Sequence, residues 1–377
     1  MSAAPSSVLV LGATGGVGGH VARRLAAEGW SVRAMARRVP AASRSPSSGL
    51  ARPQSASASA SPSPSLPSPA LPTSDDLIDW CVGDAMRESD VRRAAAGCEV
   101  IVHAVNPPSY LAWSRTVLPM LEHTIAAARA SGATVVLPGT VYNFGPDAFD
   151  DPHEDAPQHP LARKGAIRVA MERRLAEASE RGVPAIILRC GDFFGPRAGN
   201  NWLSHAMIPS DGQVRRIWRI GPANVGHQWA YLPDVAAALV RVLAERDRLG
   251  PFTRLHMAGH WDASGEDLAR MIRDRIAADG HHPASIRAFP WWAIRIAAPV
   301  HRLSRELIEM RYLWRTPLRM DNARLRALIG TEPHTPLAPA IDATLIDLGI
   351  VSGVGGVPPG GGTIRNRPGP VRGSLSA

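Results

Sequence analysis

The stretch SVLVLGATGGVGG, residues 7–19 of a 377-residue chain, joins an apolar run to a cluster of glycines. The apolar residues 7–11 predict a short strand. After the glycines, Val17, Val21 and Leu25 recur every four residues, which predicts a helix that ends near Gly29. A strand, a glycine-rich turn and a helix in this order form the first unit of an α/β fold.

The glycines at positions 12, 15 and 18 are spaced for a nucleotide site. Glycine lets the backbone turn tightly and come close to a pyrophosphate, while the N-terminus of the helix supplies N–H donors and a positive dipole. The stretch therefore predicts dinucleotide binding. The expected contacts in this loop are Gly12, Thr14, Gly15, Gly16, Val17 and Gly18.

The strand and helix patterns continue to alternate along the chain. Strands are predicted at 31–36, 79–82, 100–105, 134–137 and 185–189, and helices at 91–96, 117–130 and 165–181. Such alternation is typical of a doubly wound parallel sheet with helices on both faces. The fold class expected is therefore α/β, of the Rossmann type, with a smaller C-terminal substrate lobe.

Two segments have a composition that cannot build a core. Residues 40–74 contain 12 Ser and 8 Pro in 35 positions, and residues 351–377 contain 8 Gly and 4 Pro in 27. Both are predicted to be disordered, because they bury too little apolar surface to offset their ordering entropy. The rest divides into a dinucleotide-binding domain at 1–195 and a lobe at 196–350, interleaved with the last Rossmann elements at about 229–258.

Charge and cysteine content exclude several functions. The net charge of +9 comes from 41 arginines and a single lysine, Lys164, which indicates a compositional bias rather than a nucleic-acid site. Three scattered cysteines show no metal-binding spacing, so no metal site is expected. No apolar run approaches the ~18 residues of a membrane span, and a cytoplasmic protein is expected.

The residues after the second predicted strand bear on the choice of cofactor. Arg37 and Arg38 stand about 20 residues beyond the glycine motif, where an NAD enzyme usually has an acidic residue for the ribose hydroxyls. An arginine there suits the 2′-phosphate of NADP instead. NADP is therefore the expected cofactor, with NAD as the alternative.

At this point the chain resembles the short-chain dehydrogenase/reductase superfamily, in its extended and atypical branch of NAD-dependent epimerase/dehydratase-like proteins. Several segments match in order. They are the glycine loop, Gly83-Asp84, GCEVIVHAV at 97–105, Thr140-Val-Tyr142, ILRCGDFFGPR at 187–197 and 229–236. The resemblance implies cofactor contacts at Asp84, Ala104 and Lys164.

The presumed active site departs from the family pattern. The family's Tyr-x-x-x-Lys motif places a phenol and an ammonium one helical turn apart. Here Lys164 fits the lysine, but Pro160 stands at the tyrosine position and Pro138 replaces the usual Ser or Thr. Proline offers neither a proton nor a hydrogen bond, so ordinary carbonyl reduction is not supported.

Three interpretations remain open. Lys164 is itself the base, as in isoflavone-reductase-like enzymes, or Tyr142 is the acid at the end of its strand. Alternatively the chain is a catalytically silent NADP(H)-binding regulatory or scaffold protein of the NmrA type. The leading hypothesis is an NAD(P)-dependent oxidoreductase or epimerase/dehydratase-like enzyme.

The C-terminal third is expected to bind a small-molecule substrate. Seven of the ten tryptophans lie between positions 202 and 314, which suits an apolar, aromatic or sugar-like ligand. Asp192, Asn201 and Trp202 are the expected substrate contacts. Residues 286–326 carry nine arginines against three acids, with Leu303, Leu307, Met310 and Trp314 at helical spacing. This pattern predicts a cap helix over the cleft, with weak membrane-surface contact as the alternative.

Overall fold

The structure is a computed structural model that describes residues 6–40, 75–107, 113–199, 201–208 and 214–352. The two segments predicted to be disordered, 40–74 and 351–377, lie outside the described residues except for Pro40, Val351 and Ser352. Val351 is buried in the core of the C-terminal lobe.

Twelve strands and ten α-helices are present in the described residues. The strands are β1 Ser7–Leu11, β2 Ser31–Ala36, β3 Ile78–Val82, β4 Val100–His103, β5 Thr134–Thr140, β6 Ala185–Cys190, β7 Asp192–Phe194, β8 Arg216–Arg219, β9 His227–Tyr231, β10 Phe252–His256, β11 His260–Asp262 and β12 Ser285–Ala288. The helices are α1 Gly16–Ala27, α2 Glu88–Ala95, α3 Trp113–Ser131, α4 Arg163–Ser179, α5 Leu232–Ala244, α6 Asp267–Ala278, α7 Trp291–Ala297, α8 Arg302–Met310, α9 Ala323–Ile329 and α10 Leu337–Asp347.

Seven strands form one parallel sheet in the order β10-β6-β5-β4-β1-β2-β3. Successive side chains of a strand point to opposite faces. In β1, Val8 and Val10 accordingly pack with α1 and α5, whereas Leu9 and Leu11 pack with α2, α3 and α4. Both faces are covered, which confirms the predicted Rossmann-type doubly wound sheet.

Two strands end two or more residues from the predicted position. β4 stops at His103, and β5 continues through Pro138 to Thr140 instead of ending at 137. Beyond Val136, β5 pairs only with β6 and has no partner on the β4 side. A proline is tolerated there because the missing N–H is not needed for a second ladder. This extension carries the chain further toward the carboxyl edge of the sheet.

The C-terminal lobe has its own small sheets and its own aromatic core. Strands β11, β9 and β7 form one sheet, and β12 and β8 form another. Phe194, Trp229 and Trp314 are buried between these sheets and the helices of the lobe. From β9 the chain returns through α5 and β10 to the Rossmann layers, so the lobe is built directly onto the sheet edge. No helix among these residues is long and apolar enough to cross a membrane.

A buried ion pair joins α4 to strand β6 of the sheet. Arg189 of β6 is fully buried and donates two hydrogen bonds to Glu172 of α4, at 2.9 and 2.6 Å. The Arg189 guanidinium also donates to the Glu154 carbonyl and to His256 Nε2, each at 3.0 Å. Burial, followed by the charge of Arg189, lowers the pKa of His256 to about 2, so this ring is neutral and accepts the bond.

We expect Glu172→Gln to lower the free energy of unfolding by about 3–5 kcal/mol, because it leaves the buried Arg189 without a counter-charge. Urea denaturation measures the change. Glu177→Gln is the matched control on the same helix, since Glu177 is half exposed and pairs with Arg173 at 3.8 Å; its effect should stay below about 1 kcal/mol. Equal losses in the two variants would contradict the assignment.

Candidate active site

The glycine loop lies at the carboxyl end of β1 and is tightly packed. Gly12 has a φ of +86°, which favours glycine. A Cβ on Gly18 would lie 2.4 Å from the Gly12 carbonyl oxygen, so no side chain fits at this close approach of helix and turn. Helix α1 then begins at Gly16, capped by Gly15. This is the expected arrangement for a pyrophosphate at a helix N-terminus.

Two other segments border the loop. Ala104, just past β4, donates its N–H to the Leu11 carbonyl at 3.0 Å, and its own carbonyl faces Gly12. On the other side the carbonyl of Ala198 faces Gly16, where a Cβ would lie 2.6 Å away. His20 Nε2 lies 2.7 Å from the Pro196 carbonyl. The segment after β7 therefore runs along the first turn of α1.

The predicted adenosine contacts lie beside the loop, because β2 and β3 follow β1 in the sheet. Arg37 is exposed at the carboxyl end of β2. Asp84 follows β3, and its Oδ1 accepts the Met86 N–H at 3.0 Å, which leaves the carboxylate half-buried at the sheet edge. Thr14 and Val17 lie in the loop and the first turn of α1, Thr14 exposed and Val17 half-buried. The glycine turn and these flanking groups fit a dinucleotide.

Tyr142 follows β5 in a single 3₁₀ turn, Val141–Asn143, and is tied to two residues of the lobe. Its hydroxyl donates to Asp192 Oδ1 at 2.8 Å. The other oxygen of Asp192 lies 2.9 Å from His227 Nε2, and the His227 ring stacks on Trp314 at 3.6 Å between centroids. Tyr142, Asp192 and His227 thus form one hydrogen-bonded row. The sequence analysis missed His227, although it lies two residues before the matched segment that begins at Trp229 and on the same face of β9 as Trp229.

Lys164 is the second residue of α4 and is 7% exposed. Its Nζ lies 3.4 Å from Glu306 Oε2 of α8. Burial lowers the pKa of Lys164 to about 8, against the opposing effect of the Glu306 carboxylate. The Tyr142 carbonyl packs on Gly165, where a Cβ would lie 2.3 Å away, so the tyrosine turn and the lysine are neighbours.

Arg168, one helical turn beyond Lys164, was also missed by the sequence analysis. Its guanidinium lies over the Trp113 ring, 5.2 Å from the centroid. Burial lowers the pKa of Arg168, while the nearby Tyr142 and Glu172 raise it. Because α4 begins at Arg163, Pro160 precedes the helix and does not face Lys164 across a helical turn. The pair of groups one turn apart on α4 is therefore Lys164 and Arg168.

The expected substrate residues differ in their surroundings. Asp192 belongs to the row described above, and Trp202 packs edge-on against Trp314 at 5.2 Å. The amide of Asn201 instead closes a local turn, donating to the Gly199 carbonyl and accepting from the Ser204 N–H, each at 3.0 Å. The structure thus brings Asp192 and Trp202 into one aromatic cluster and places Asn201 in the backbone turn beside it.

Two adjoining cavities open in the lobe. One is lined by His227, Trp229 and Trp314 among others. The second shares Trp314 and Gly221 with the first, and it adds a cationic wall. That wall consists of Arg311 and Arg315, beside Arg219, which is paired with Glu266. Within the described residues, no group of three or more His, Cys, Asp or Glu side chains is arranged to hold a metal ion.

Solved structures with the same fold include several sugar-nucleotide enzymes. A UDP-galactose 4-epimerase aligns with a TM-score of 0.63 at 18% identity, over 91% of this chain and 99% of that one. A nucleoside-diphosphate-sugar epimerase from Pseudomonas aeruginosa aligns with a TM-score of 0.63 at 18% identity, over 93% and 100%. The Bordetella bronchiseptica enzyme WbmH in complex with NAD+ gives 0.62 at 15% identity, over 91% and 98%.

A search of the curated proteins found no match. The model of the NAD dependent epimerase/dehydratase family matches residues 8–257, which include the glycine loop, Tyr142, Lys164, Asp192 and His227. This match spans well over half of the sequence and confirms the resemblance inferred from the motifs. The chain therefore belongs to the NAD-dependent epimerase/dehydratase family.

Proposed function

We propose that the protein is an NAD(P)-dependent enzyme of the epimerase/dehydratase type in which Lys164 is the acid–base group. The observation that carries the proposal is the enclosure of the only lysine at the start of α4, with a pKa of about 8. A group with a pKa near the working pH both takes up and releases a proton readily.

The bound nicotinamide would supply the hydride acceptor or donor. The glycine loop would bind the pyrophosphate, Asp84 the adenosine and Arg37 the 2′-phosphate of NADP. Lys164 would take or give the proton at Nζ, while Arg168 would keep a permanent positive charge one turn away, since arginine stays protonated. Arginine stands at 41 positions of the chain and lysine only at position 164. This supports the proposal that position 164 needs a group that can lose its proton.

Tyr142 has a different role in this proposal. Its hydroxyl proton is engaged with Asp192, whose second oxygen is engaged with His227. Such a row holds the phenol in one orientation, facing the lobe. We propose that Tyr142 positions the substrate. It is the alternative acid if turnover does not require Lys164.

The substrate we propose is a sugar nucleotide. Arg311 and Arg315 suit the phosphates, because guanidinium groups bind phosphate through paired hydrogen bonds. Trp291 and Trp314 give the same cavities an aromatic lining, which suits the apolar side of a sugar. The solved structure of MoeE5 in complex with UDP-glucose and NAD, at TM-score 0.61 and 18% identity, supports UDP-glucose as the first probe.

A second candidate is a regulatory protein that binds NADP(H) without turnover. It is favoured by Pro138 and Pro160, which leave no hydroxyl or phenol at the positions where the family pattern has them. The two candidate functions are distinguished by turnover: the enzyme converts a substrate when the cofactor is bound, and the regulatory protein does not.

We expect NADPH to bind more tightly than NADH, and Arg37→Ala to remove about 1–3 kcal/mol of that preference, the scale of a charge-assisted hydrogen bond. Nicotinamide fluorescence titrations give both dissociation constants. Arg93→Ala, an exposed arginine of α2, should change neither. Equal affinities for the two cofactors in the unmodified protein would contradict the proposed contact of Arg37 with the 2′-phosphate.

The single lysine permits a direct titration. With carbon-13 placed at lysine Cε, the spectrum contains one side-chain signal, and its shift should titrate with a midpoint near 8 rather than at the ordinary 10.5. Glu306→Gln should move the midpoint lower, because the carboxylate raises the pKa of Lys164. A midpoint above 10 in the unmodified protein would contradict an enclosed acid–base lysine.

Turnover tests the function itself. Once a sugar nucleotide is converted, Lys164→Arg should retain NADPH binding and lose about 100-fold or more in kcat, the scale of general acid–base catalysis. Arg173→Lys on the exposed face of α4 is the control and should keep full activity. Full activity of Lys164→Arg would transfer the role to Tyr142, to be tested by Tyr142→Phe. Tight NADPH binding without turnover of UDP-glucose or other UDP-sugars would favour the regulatory candidate.

A further inference from the structure

The outer face of α7 and α8 is apolar and unusually exposed. Trp292 is 71% exposed, Ile296 73%, Val300 90% and Leu303 43%. Trp292 and Ile296 are four residues apart in α7, which places them on one face of that helix, while Val300 lies between α7 and α8 and Leu303 lies in α8. We call these four residues the apolar ridge. Single exposed apolar residues are ordinary, but a contiguous set marks an interaction surface.

Trp291, next to the ridge, shows that α7 is firmly packed against the lobe. Trp291 is buried, and its indole N–H donates to the Ile220 carbonyl at 2.7 Å. Arg311 lies over the Trp291 ring at 5.4 Å. Helix α7 is thus anchored by Trp291 in an orientation that points Trp292 and Ile296 to solvent.

The charges around the ridge are divided by sign. Both acids of α8 turn toward α4: Glu306 lies 3.4 Å from Lys164, and Glu309 lies 2.7 Å from Arg163. The exposed charged residues beside the ridge, Arg295 and Arg305, are cationic. The outward face therefore combines apolar side chains with positive charge.

The positive charge of this face disfavours several possible binding partners. A second copy of the chain would bring the same cations against it. The two long segments outside the described residues, 41–74 and 353–377, contain no Asp or Glu and carry five further arginines. Like charges on both sides of a contact disfavour binding. An anionic surface is the complementary partner.

We propose that the apolar ridge and its arginines dock the protein on an anionic lipid bilayer. Val300 between the two helices is 90% exposed, and Trp292 is of the residue type enriched at membrane–water interfaces, which favours shallow insertion over the binding of a peptide. Trp292, Ile296 and Val300 enter the boundary between headgroups and acyl chains, and Arg295 and Arg305 contact lipid phosphates. The chain lies on the membrane in this arrangement and does not span it. The proposal is independent of the proposed reaction.

Vesicle co-sedimentation of the full chain tests the proposal, with vesicles of phosphatidylcholine alone and of phosphatidylcholine mixed with phosphatidylglycerol. Binding is expected to the mixed vesicles and should weaken as salt is added. Ile296→Asp should reduce the binding constant at least about tenfold, and Arg295→Glu at least about fivefold. Thermal melting of each variant verifies that it remains folded.

Matched controls carry the same substitutions elsewhere. Ile346→Asp changes an isoleucine of α10 that is 41% exposed, and Arg92→Glu changes an exposed arginine of α2; both should bind vesicles as the unmodified protein does. Equal binding to neutral and mixed vesicles, or unchanged binding of Ile296→Asp, would overturn the proposal. So would a failure to bind vesicles, and a dimer that Ile296→Asp dissociates would then assign the ridge to self-association. Binding of polyglutamate without vesicle binding would assign it to an acidic protein.

Discussion

The buried contact between Arg189 and Glu172 holds the two parts of the site in register. Arg189 stands in β6, between β10 and β5, and reaches α4, while the same guanidinium contacts the Glu154 carbonyl and His256 of β10. Gly139 of β5 makes room for it, since a Cβ there would lie 2.9 Å from Arg189 Cγ. A charged group enclosed at this depth is tolerated only if every donor is satisfied. The position of α4, and with it that of Lys164 and Arg168, depends on this contact.

The properties of Lys164 follow from where α4 begins. Burial is the main cause of the lowered pKa, because Lys164 is only 7% exposed at the second position of α4. Helix α8 then covers the side chain and removes it from water, although Glu306 partly compensates. A lysine that neither helix covered would stay in water and keep its usual pKa. The lowered pKa is thus a product of the packing of the lobe onto the Rossmann layers.

The lobe contacts the carboxyl edge of the sheet at two places. The row of Tyr142, Asp192 and His227 connects the end of β5 to β9, with Trp314 stacked on the histidine. Helix α8 closes the opposite side through Glu306 and Glu309. Because both acids pair with residues of α4, the exposed charges of α7 and α8 at Arg295 and Arg305 are positive. One short helix therefore shapes both the candidate site and the proposed docking face.

The local patterns of the sequence determined the Rossmann layers, the glycine turn and the family. Alternating apolar residues and glycine spacing depend on neighbours within a few positions, so β1, β2 and α1 could be predicted closely. Only the tertiary structure decided which groups meet. His227 reaches Asp192, and Arg168 reaches Trp113, across long separations in sequence that no periodicity encodes. The first residue of α4 likewise depends on its packing against the tyrosine turn, and this placed Pro160 outside the helix and paired Lys164 with Arg168.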